Sequence, residues 1–202
     1  MSQPSIRDIP AGNILLSAAI LFSGATPGKV LRLLNHMQVA CISDRTFYRH
    51  QARFLEPAVL AVWEVKQSRL LEECKAHGNS LNIGGDGRAD SPGHSAKYGS
   101  YTLIDLDTNK VLHIELVQVK QKFIELHCSV GIKSKQSNEV KSSNAMEKEG
   151  LCRAIEFLSA NSLNINTLVT DRHNQISKFV CKKHPSIEHR YDVWHVSKGM
   201  LA

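Results

Sequence analysis

The segment from Leu81 to Gly93, LNIGGDGRADSPG, constrains the fold more than any other part of the chain. Its first residues, Leu81 to Gly85, form a short apolar strand pattern, and two acids, Asp86 and Asp90, follow closely. Glycines on both sides of Asp86 leave the backbone free to bend and open to close approach. The sequence therefore predicts a strand that ends in carboxylates at the border of a cleft.

Two further acids follow strand-like segments in the second half of the chain. Asp171 comes directly after the β-branched segment Ile165–Thr170, and Asp192 lies in the short segment His189–Val193. Carboxylates on neighbouring strand ends repel one another, which raises the pKa of one of them unless a cation neutralises the charge. Mg²⁺ favours oxygen ligands and often takes only one or two carboxylates, so a fold that joins these strands predicts an Mg²⁺ or Mn²⁺ site.

Residues 9 to 76 carry apolar side chains at helical spacing throughout. We expect one helix to begin after Thr26, where a capping hydroxyl precedes Pro27, and another after Ser43, with a helix boundary at Pro57. The predicted core-facing residues of this region share one helix face within each segment. They are Ile14, Leu15, Ala18, Leu21, Phe22, Val30, Leu33, Leu34, Met37, Phe47 and Phe54.

Three arginines in the helix that follows Ser43 recur every four residues, namely Arg45, Arg49 and Arg53. This spacing places them on one helix face, roughly opposite the aromatic residues. Two helices with a basic face on the second suggest a DNA-binding helix-turn-helix, although the joint at residues 38–42 is longer than usual. A solvated charged face is the alternative interpretation of the same pattern.

Strand-like segments replace helices from Asn79 onward and alternate with two further helices. Asn144 and Glu147 form a predicted capping box at the start of the first of these helices. The element order, β-β-β-α-β-α-β, resembles that of an RNase H-like domain, in which the first and fourth strands are neighbours. We therefore predict an α/β fold, with a helical region over residues 1–78 and an incomplete RNase H-like mixed sheet over residues 79–202. The predicted elements are strands at 81–85, 98–105 and 111–119, a further short strand within 123–132, a helix from 144, a strand at 165–170, a helix at 173–184 and a strand at 189–193.

Composition favours a globular, intracellular protein with a polyanionic partner. Apolar residues make up 42% of the chain, and 25 Lys and Arg against 19 Asp and Glu give a net charge of +6. This charge suits nucleic acid, although many proteins without such a partner are equally basic. The five cysteines are widely spaced and include no CxxC pair, which indicates reduced thiols. The apolar run from Ile14 to Phe22 is too short to span a bilayer, so no membrane segment is predicted.

Five short motifs in the second half of the chain are distinctive when taken together. They are Gly85–Gly93, Ala96–Thr102, Met146–Gly150, Thr170–His173 and Tyr191–Lys198. These motifs resemble those of Kolobok-type transposases, which are cut-and-paste DNA transposases with an RNase H-like core, and the resemblance covers roughly residues 79 to 200. It implies Asp86 as the first catalytic acid, with Asp90 as a rival, Asp171 as the second acid, and Asp192 and His195 as an Asp-x-x-His motif. It also implies transposon-end DNA as a partner, a divalent metal and a nuclear location; a homo-oligomer is a further expectation.

The chain departs from the pattern of these transposases in one respect. They need a third acid, usually Glu, on a helix after the second acid, and the sequence ends at Ala202 before such a helix. Glu147, Glu156 and Glu188 lie on earlier predicted elements and do not match that position. We therefore expect an incomplete catalytic domain that does not cleave DNA strands by itself.

Two other functions fit the same sequence. A non-catalytic DNA-binding or interaction protein would keep the fold and lose the reaction, as the missing third acid suggests. In either case Arg88 and Arg172, which lie beside the acids, would hold a DNA phosphate or pair with the carboxylates. A zinc hydrolase is the third hypothesis, and its metal ligands would be Cys181, His184, His189 and His195.

Overall fold

The computed structural model describes residues 3–6, 8–78, 80–91, 96–118, 140 and 143–193. The chain forms two compact units, Met1–Lys66 and Gln67–Ala202. The boundary lies ahead of the predicted one at residue 78, because the last turns of a long helix belong to the second unit. Gln67 shows this directly, since its side-chain amide donates a 2.8 Å hydrogen bond to the carbonyl of Leu112 in the sheet.

The first unit begins with a two-stranded hairpin and continues as helices. Its elements are β1 (Ser5–Ile6), β2 (Ile9–Pro10), α1 (Ala11–Phe22), α2 (Pro27–His36), α3 (Asp44–His50), a π-helical turn (Gln51–Leu55) and α4 (Glu56–Ala76), which runs on into the second unit. The helix boundary predicted at Pro57 is not observed, because residues 44–76 are helical without interruption. Pro57 has no amide hydrogen to donate to the carbonyl of Arg53, and the turn ahead of it widens into π geometry instead of ending the helix.

The two predicted helix starts differ in how they are capped. The Ser43 hydroxyl accepts a 3.2 Å hydrogen bond from the Thr46 amide at the start of α3, as predicted. Thr26 precedes α2 and Pro27 is its first residue, but the Thr26 side chain makes no capping hydrogen bond in the described part of the chain. Pro27 therefore sets the start of α2 through its fixed backbone angle.

The core of the first unit is small and differs in part from the predicted one. Ile20, Leu31, Ile42 and Phe47 form it, and a hydrogen bond of 2.9 Å joins the buried side chains of Ser17 and His50 beside it. Four predicted core residues are exposed instead, with Leu15 at 67% of its full exposure; the other three are Phe22, Leu33 and Met37. Short helices bury only a narrow stripe, so a small error in the helix phase moves large side chains to solvent.

The second unit is a five-stranded sheet with helices. Its elements are β3 (Ser80–Ala89), β4 (Tyr98–Asp105), β5 (Lys110–Gln118), α5 (Ser143–Ala160), β6 (Asn164–Thr170), α6 (Asn174–Lys183) and β7 (Glu188–Tyr191). The strand order is β5-β4-β3-β6-β7. Strand β4 is antiparallel to both of its neighbours, β3 and β5, and β6 and β7 run parallel to β3. This confirms the predicted mixed α/β sheet, with the first and fourth strands of the unit as neighbours.

Helix α5 covers one face of the sheet. Its residues Leu151, Ala154 and Leu158 are fully buried against a core that includes Ile83 and Leu103. Each large aliphatic side chain buried in this way contributes roughly 1.5–3 kcal/mol to folding. The core holds β3 and β6 side by side and therefore fixes where their carboxyl ends lie.

Two local predictions differ from the structure. Asp86 lies within β3, paired with Thr102 of β4, and is not at the end of the strand. Helix α5 begins at Ser143, one residue ahead of the predicted start at Asn144. The predicted strand within 123–132, and the residues His94, Trp194 and His195, lie outside the described residues.

Candidate metal and nucleic-acid site

Three acids lie in register along three parallel strands of the sheet. Gly84 of β3 pairs with Val169 of β6, so Asp86 and Asp171 each lie two residues beyond that pair. Thr170 pairs with Tyr191 of β7, and Asp171 and Asp192 are the next residue in each chain segment. Of the three acids predicted to bind metal, Asp86 on β3 and Asp171 directly after β6 therefore follow the last pair of these strands by the same number of residues.

Asp171 is held by the backbone of the loop between β6 and α6. One of its carboxylate oxygens, Oδ1, accepts a 3.2 Å hydrogen bond from the amide of His173. Thr170 donates its hydroxyl hydrogen to the Asp171 carbonyl, and the same hydroxyl lies 2.9 Å from Nε2 of His189. The Asp192 amide donates to the Thr170 carbonyl at 2.9 Å, which ties the end of β7 to the same place.

Glu147 of α5 joins this group of acids. The Glu147 side chain is half-buried and packs against Gly87, where an added β-carbon would overlap it. Its Oε2 atom lies 3.5 Å from Nε2 of His173. Burial raises the pKa of Glu147, and the negative charges of Asp171 and Asp86 raise it further, while His173 lowers it. The Glu147 carboxylate therefore lies within range of the negative charges of Asp171 and Asp86.

Tyr101 of β4 lies among the same acids. Its side chain is 1% exposed, and its hydroxyl has no hydrogen-bond partner in the described residues. The hydroxyl lies against Gly85, where a β-carbon would overlap it. Burial raises the pKa of Tyr101, and the charges of Glu147, Asp171 and Asp86 add to the effect. Tyr101 is therefore a neutral donor, and it lies within range of all three carboxylate charges.

The donors at this site suit a hard divalent cation. They are carboxylate oxygens, which Mg²⁺ and Mn²⁺ prefer over nitrogen or sulfur. Within the described residues, no three His, Cys, Asp or Glu side chains converge as a ready-made ligand set. Mg²⁺ does not require one, because it often binds through one or two carboxylates and fills its other positions with water or phosphate oxygens.

Asp90, the rival for the first acid, has a different place. Its carboxylate accepts a 3.0 Å hydrogen bond from the Lys97 amide, and its own amide donates to the Tyr98 carbonyl. These contacts fasten the connection between β3 and β4. Asp86, and not Asp90, raises the pKa of Glu147 and Tyr101. Asp90 therefore stabilises the connection between β3 and β4 in the structure.

The predicted arginines are exposed. Arg88 lies near the end of β3, and Arg172 follows Asp171 directly, so both lie beside the acids with their side chains in solvent. Arg45, Arg49 and Arg53 are exposed on α3 and the π-helical turn of the first unit, where Arg53 also lies 5.6 Å from the ring centre of Phe54.

The proposed zinc ligands have separate surroundings. Cys181 is exposed on α6, His184 packs edge-on against Phe179, and His189 contacts Thr170. No cluster of metal-binding side chains that includes them occurs in the described residues, and His195 lies outside them. The described geometry gives the zinc hypothesis no support.

Basic side chains line a cleft between α5 and α6, called here the basic cleft. It has a volume of about 310 Å³, and its described lining is Lys148, Gln175, Phe179 and the lysines 178, 182 and 183. Lys148 directly follows Glu147 and lies 5.9 Å from the ring centre of Phe179. On α6, Lys178 and Lys182 share one helix face because they are four residues apart. Lysines at this spacing form a surface suited to a row of phosphates.

A model of the Mutator-like transposases matches residues 7–202. The chain belongs to the Mutator-like transposase family. The match extends over the helical first unit as well as the sheet, whereas the sequence motifs covered only the second. Comparison with curated proteins and with solved structures gives no match for this Mutator-like transposase chain. Family membership implies interaction with DNA. No helix in the described part of the chain is long and apolar enough to cross a membrane.

The sequence prediction missed Glu147, His173 and Tyr101 as members of the site. One signal for Glu147 was present, because it lies on the same helical stripe as Leu151, Ala154 and Leu158. A carboxylate on an apolar helix face is costly to bury unless it has a partner or a function. Tyr101 carries no such signal, because its role depends on Gly85 and Glu147 of other elements.

Proposed function

We propose that this chain is the core of a metal-dependent DNA transposase and that Asp86 and Asp171 are its metal-binding acids. The observation that supports the proposal is the parallel register of β3 and β6, whose last pair, Gly84 and Val169, lies two residues before Asp86 and two residues before Asp171. Family membership supports the same reaction class, cleavage and transfer of DNA strands. The narrower likeness to the Kolobok type remains a prediction from the motifs.

Asp86 and Asp171 would share Mg²⁺ or Mn²⁺, and Asp192 with His195 would support the site. The bound cation would activate a water or a 3′-hydroxyl for attack on phosphorus and stabilise the leaving oxygen. The chain itself fixes Asp171 through the His173 amide and keeps Tyr101 protonated beside the acids. The half-buried setting of Glu147 shows that the protein excludes part of the bulk water here.

DNA phosphates would lie on the basic surface next to the acids. The basic cleft supplies positive charge on α5 and α6, and the exposed Arg88 and Arg172 supply it within two residues of Asp86 and Asp171. Arg45, Arg49 and Arg53 of the helical unit would provide a second contact with DNA. The proposed DNA substrate is the transposon end. The proposed assembly is a homo-oligomer, and the proposed location is the nucleus.

A second candidate function is a DNA-binding protein that keeps the fold without the reaction. One observation favours it: the described side chains present no ready-made set of three metal ligands. In that case the basic cleft would still bind DNA, and the acids would not affect the outcome of any cleavage assay.

Nicking of end-labelled DNA in Mg²⁺ or Mn²⁺ separates the two candidates. The full chain is compared with Asp171→Ala and with Asp90→Ala, an acid of the β3–β4 connection that serves as the matched control. The sequence led us to expect no strand cleavage by this chain alone, but Asp86 and Asp171 supply two of the required acids. The proposal therefore predicts nicking by the full chain and by Asp90→Ala, and its loss in Asp171→Ala. Equal nicking by all three proteins would remove Asp171 from the mechanism. DNA binding without nicking in any of them would favour the non-catalytic candidate.

A further inference from the structure

A phenylalanine ring lies among the lysines of the basic cleft. Phe179 is half-buried, and it contributes both to the lining of the cleft and to the side chains that pack on the sheet core. The neighbouring residues Ile176 and Val180 are buried and face the core. The cleft residues of α6 recur three or four residues apart and therefore share one helix face, which carries residues 175, 178, 179, 182 and 183.

The contacts of the Phe179 ring leave one of its faces toward the cleft. His184 packs edge-on against the ring, with ring centres 5.3 Å apart and ring planes at 65°. The Lys148 ammonium lies over a ring face, 5.9 Å from the ring centre. Lys148 is exposed, so its long side chain can turn away from the ring at small cost. This face of Phe179 is therefore accessible to a flat partner.

The lysines of the basic cleft carry charge that the described chain does not neutralise. Lys148 and the three lysines of α6 in the cleft are all exposed, and the described lining contains no carboxylate. None of the four lysines forms an ion pair with a described residue. A partner with several negative charges fits this surface, and the phosphates along a nucleic-acid strand are such a series.

The size of the basic cleft and its aromatic ring favour an unpaired nucleotide over a duplex. The volume of about 310 Å³ is at the lower end of the range for small-ligand pockets. Bases within a duplex are stacked on their neighbours, so a duplex offers phosphates to the lysines but no base to the Phe179 ring. An unpaired base has a free face and stacks on aromatic side chains with little dependence on sequence.

We propose that the basic cleft binds an unpaired nucleotide of single-stranded DNA, with its base stacked on Phe179 and the adjoining phosphates on the lysines of α5 and α6. This inference rests on the proposed function, which places DNA phosphates at the same surface. It adds the kind of DNA that the cleft recognises and the residue that distinguishes an unpaired strand from a duplex.

Fluorescence anisotropy of labelled DNA with the full chain, in the absence of divalent cations, tests the inference. The three DNAs are a single-stranded oligothymidylate, an abasic strand of the same length with the same phosphates, and a blunt duplex. The variants are Phe179→Leu, Phe179→Tyr, which keeps the ring, and the matched control Phe157→Leu. Phe157 is a partly buried residue of α5 that packs on the same core, stacks on His113 and is not part of the described lining of the cleft.

The unchanged chain should bind the oligothymidylate more tightly than the abasic strand. Phe179→Leu should weaken oligothymidylate binding by at least about fivefold, the lower end of the effect of losing base stacking, and leave the other two DNAs unaffected. Because the lost contact is not ionic, the salt dependence of binding should not change. Phe179→Tyr and Phe157→Leu should bind all three DNAs as the unchanged chain does.

The outcomes separate this inference from the proposed function. Equal binding of the oligothymidylate and the abasic strand by the unchanged chain would show that the cleft binds charge alone, and only the inference would fail. A loss for Phe179→Leu that is equal on all three DNAs, or matched by Phe157→Leu, would also overturn the inference. Displacement of the oligothymidylate by thymidine monophosphate at the same nucleotide concentration would overturn the assignment to a strand. If the unchanged chain binds none of the three DNAs, the DNA contacts of the proposed function fail as well.

Thermal unfolding shows whether each variant is folded. Phe179 contributes to the core, so if Phe179→Leu does not fold, Phe179→Met and Phe157→Met replace the pair with the same expected results. The comparison of the oligothymidylate with the abasic strand needs no substitution and tests the inference in either case.

Discussion

At the scale of single residues, two glycines leave space for the side chains that pack around Asp86. Gly85 and Gly87 flank Asp86 on β3, and the side chains of Tyr101 and Glu147 occupy the space that their β-carbons would fill. The sequence indicated that glycines beside Asp86 allow close approach, but it did not show which side chains would approach. Those side chains come from β4 and α5, which are distant in sequence.

Replacement of Gly87 by alanine should disturb the site directly. The new β-carbon would overlap the Glu147 side chain, so we expect a loss of about 1–3 kcal/mol in the free energy of unfolding and weaker Mn²⁺ binding. Gly84→Ala on the same strand is the control, because its β-carbon would meet only the Leu106 side chain, at 3.0 Å, and that side chain is partly exposed and can turn away. Denaturant unfolding and Mn²⁺ titration of both variants provide the check. Equal effects of the two substitutions would contradict the packing of Glu147 on Gly87.

His50 should make the helical unit sensitive to acid. Burial lowers the pKa of His50, and the neighbouring positive charge of Arg49 lowers it further. The unfolded chain therefore takes up a proton near pH 6.5, about where free histidine titrates, and the folded chain takes it up only at a lower pH. The contribution of His50 to the free energy of unfolding is therefore fully present above about pH 6.5, and it is lost as the pH falls below that value.

The pH dependence of thermal unfolding of the full chain checks this prediction. Between about pH 8 and about pH 5.5, His50→Gln should lose less stability than the exposed-histidine control His36→Gln. The same slope in both variants would show that His50 is protonated in the folded chain.

At the scale of elements, the face between α5 and α6 concentrates positive charge. Lys148 extends from α5 next to Glu147, and Lys178 and Lys182 lie on one face of α6. Helix α6 starts soon after Asp171, so the same loop that positions the carboxylate also sets where these lysines lie. The lysines of α6 therefore follow in the chain directly from the loop that carries Asp171.

Loss of two of these lysines should reduce the salt dependence of DNA binding. Each lysine that neutralises a phosphate contributes about 0.9 to the slope of log affinity against log salt on duplex DNA, so Lys178→Ala/Lys182→Ala should lower the slope by about 2. The control is Lys66→Ala/Lys75→Ala, which removes the same charge from exposed positions on α4. Fluorescence anisotropy at several salt concentrations measures both. Equal slopes for the two double variants would show that α6 does not contact DNA.

The sequence predicted most elements of the sheet unit and fewer details of the helical unit. Strand periodicity and turns identified β3 to β7 and their order, because each strand carries its own apolar pattern. The helix phase in α1 and α2 was less certain, since residues such as Leu15 and Met37 are apolar yet exposed. The π-helical turn before Pro57 was not predicted either, because proline signals a helix break unless the preceding turn widens.

At the scale of the whole molecule, the chain is two compact units of the Mutator-like transposase family, and helix α4 belongs to both. The positions of Asp86 and Asp171 follow from the parallel pairing of β3 and β6, which the predicted strand order anticipated. Glu147 could not be assigned in the same way, because its contact with the acids depends on how α5 crosses the sheet.

A double-mutant cycle for Mn²⁺ binding tests most directly whether Asp86 and Asp171 share one cation. The full chain is compared with Asp86→Asn, Asp171→Asn and the double variant, and affinities are measured from free Mn²⁺. If one ion bridges both carboxylates, each single variant loses most of the affinity and the double variant loses little more. Losses that add up fully in the double variant, or a single variant that binds Mn²⁺ normally, would contradict a shared site.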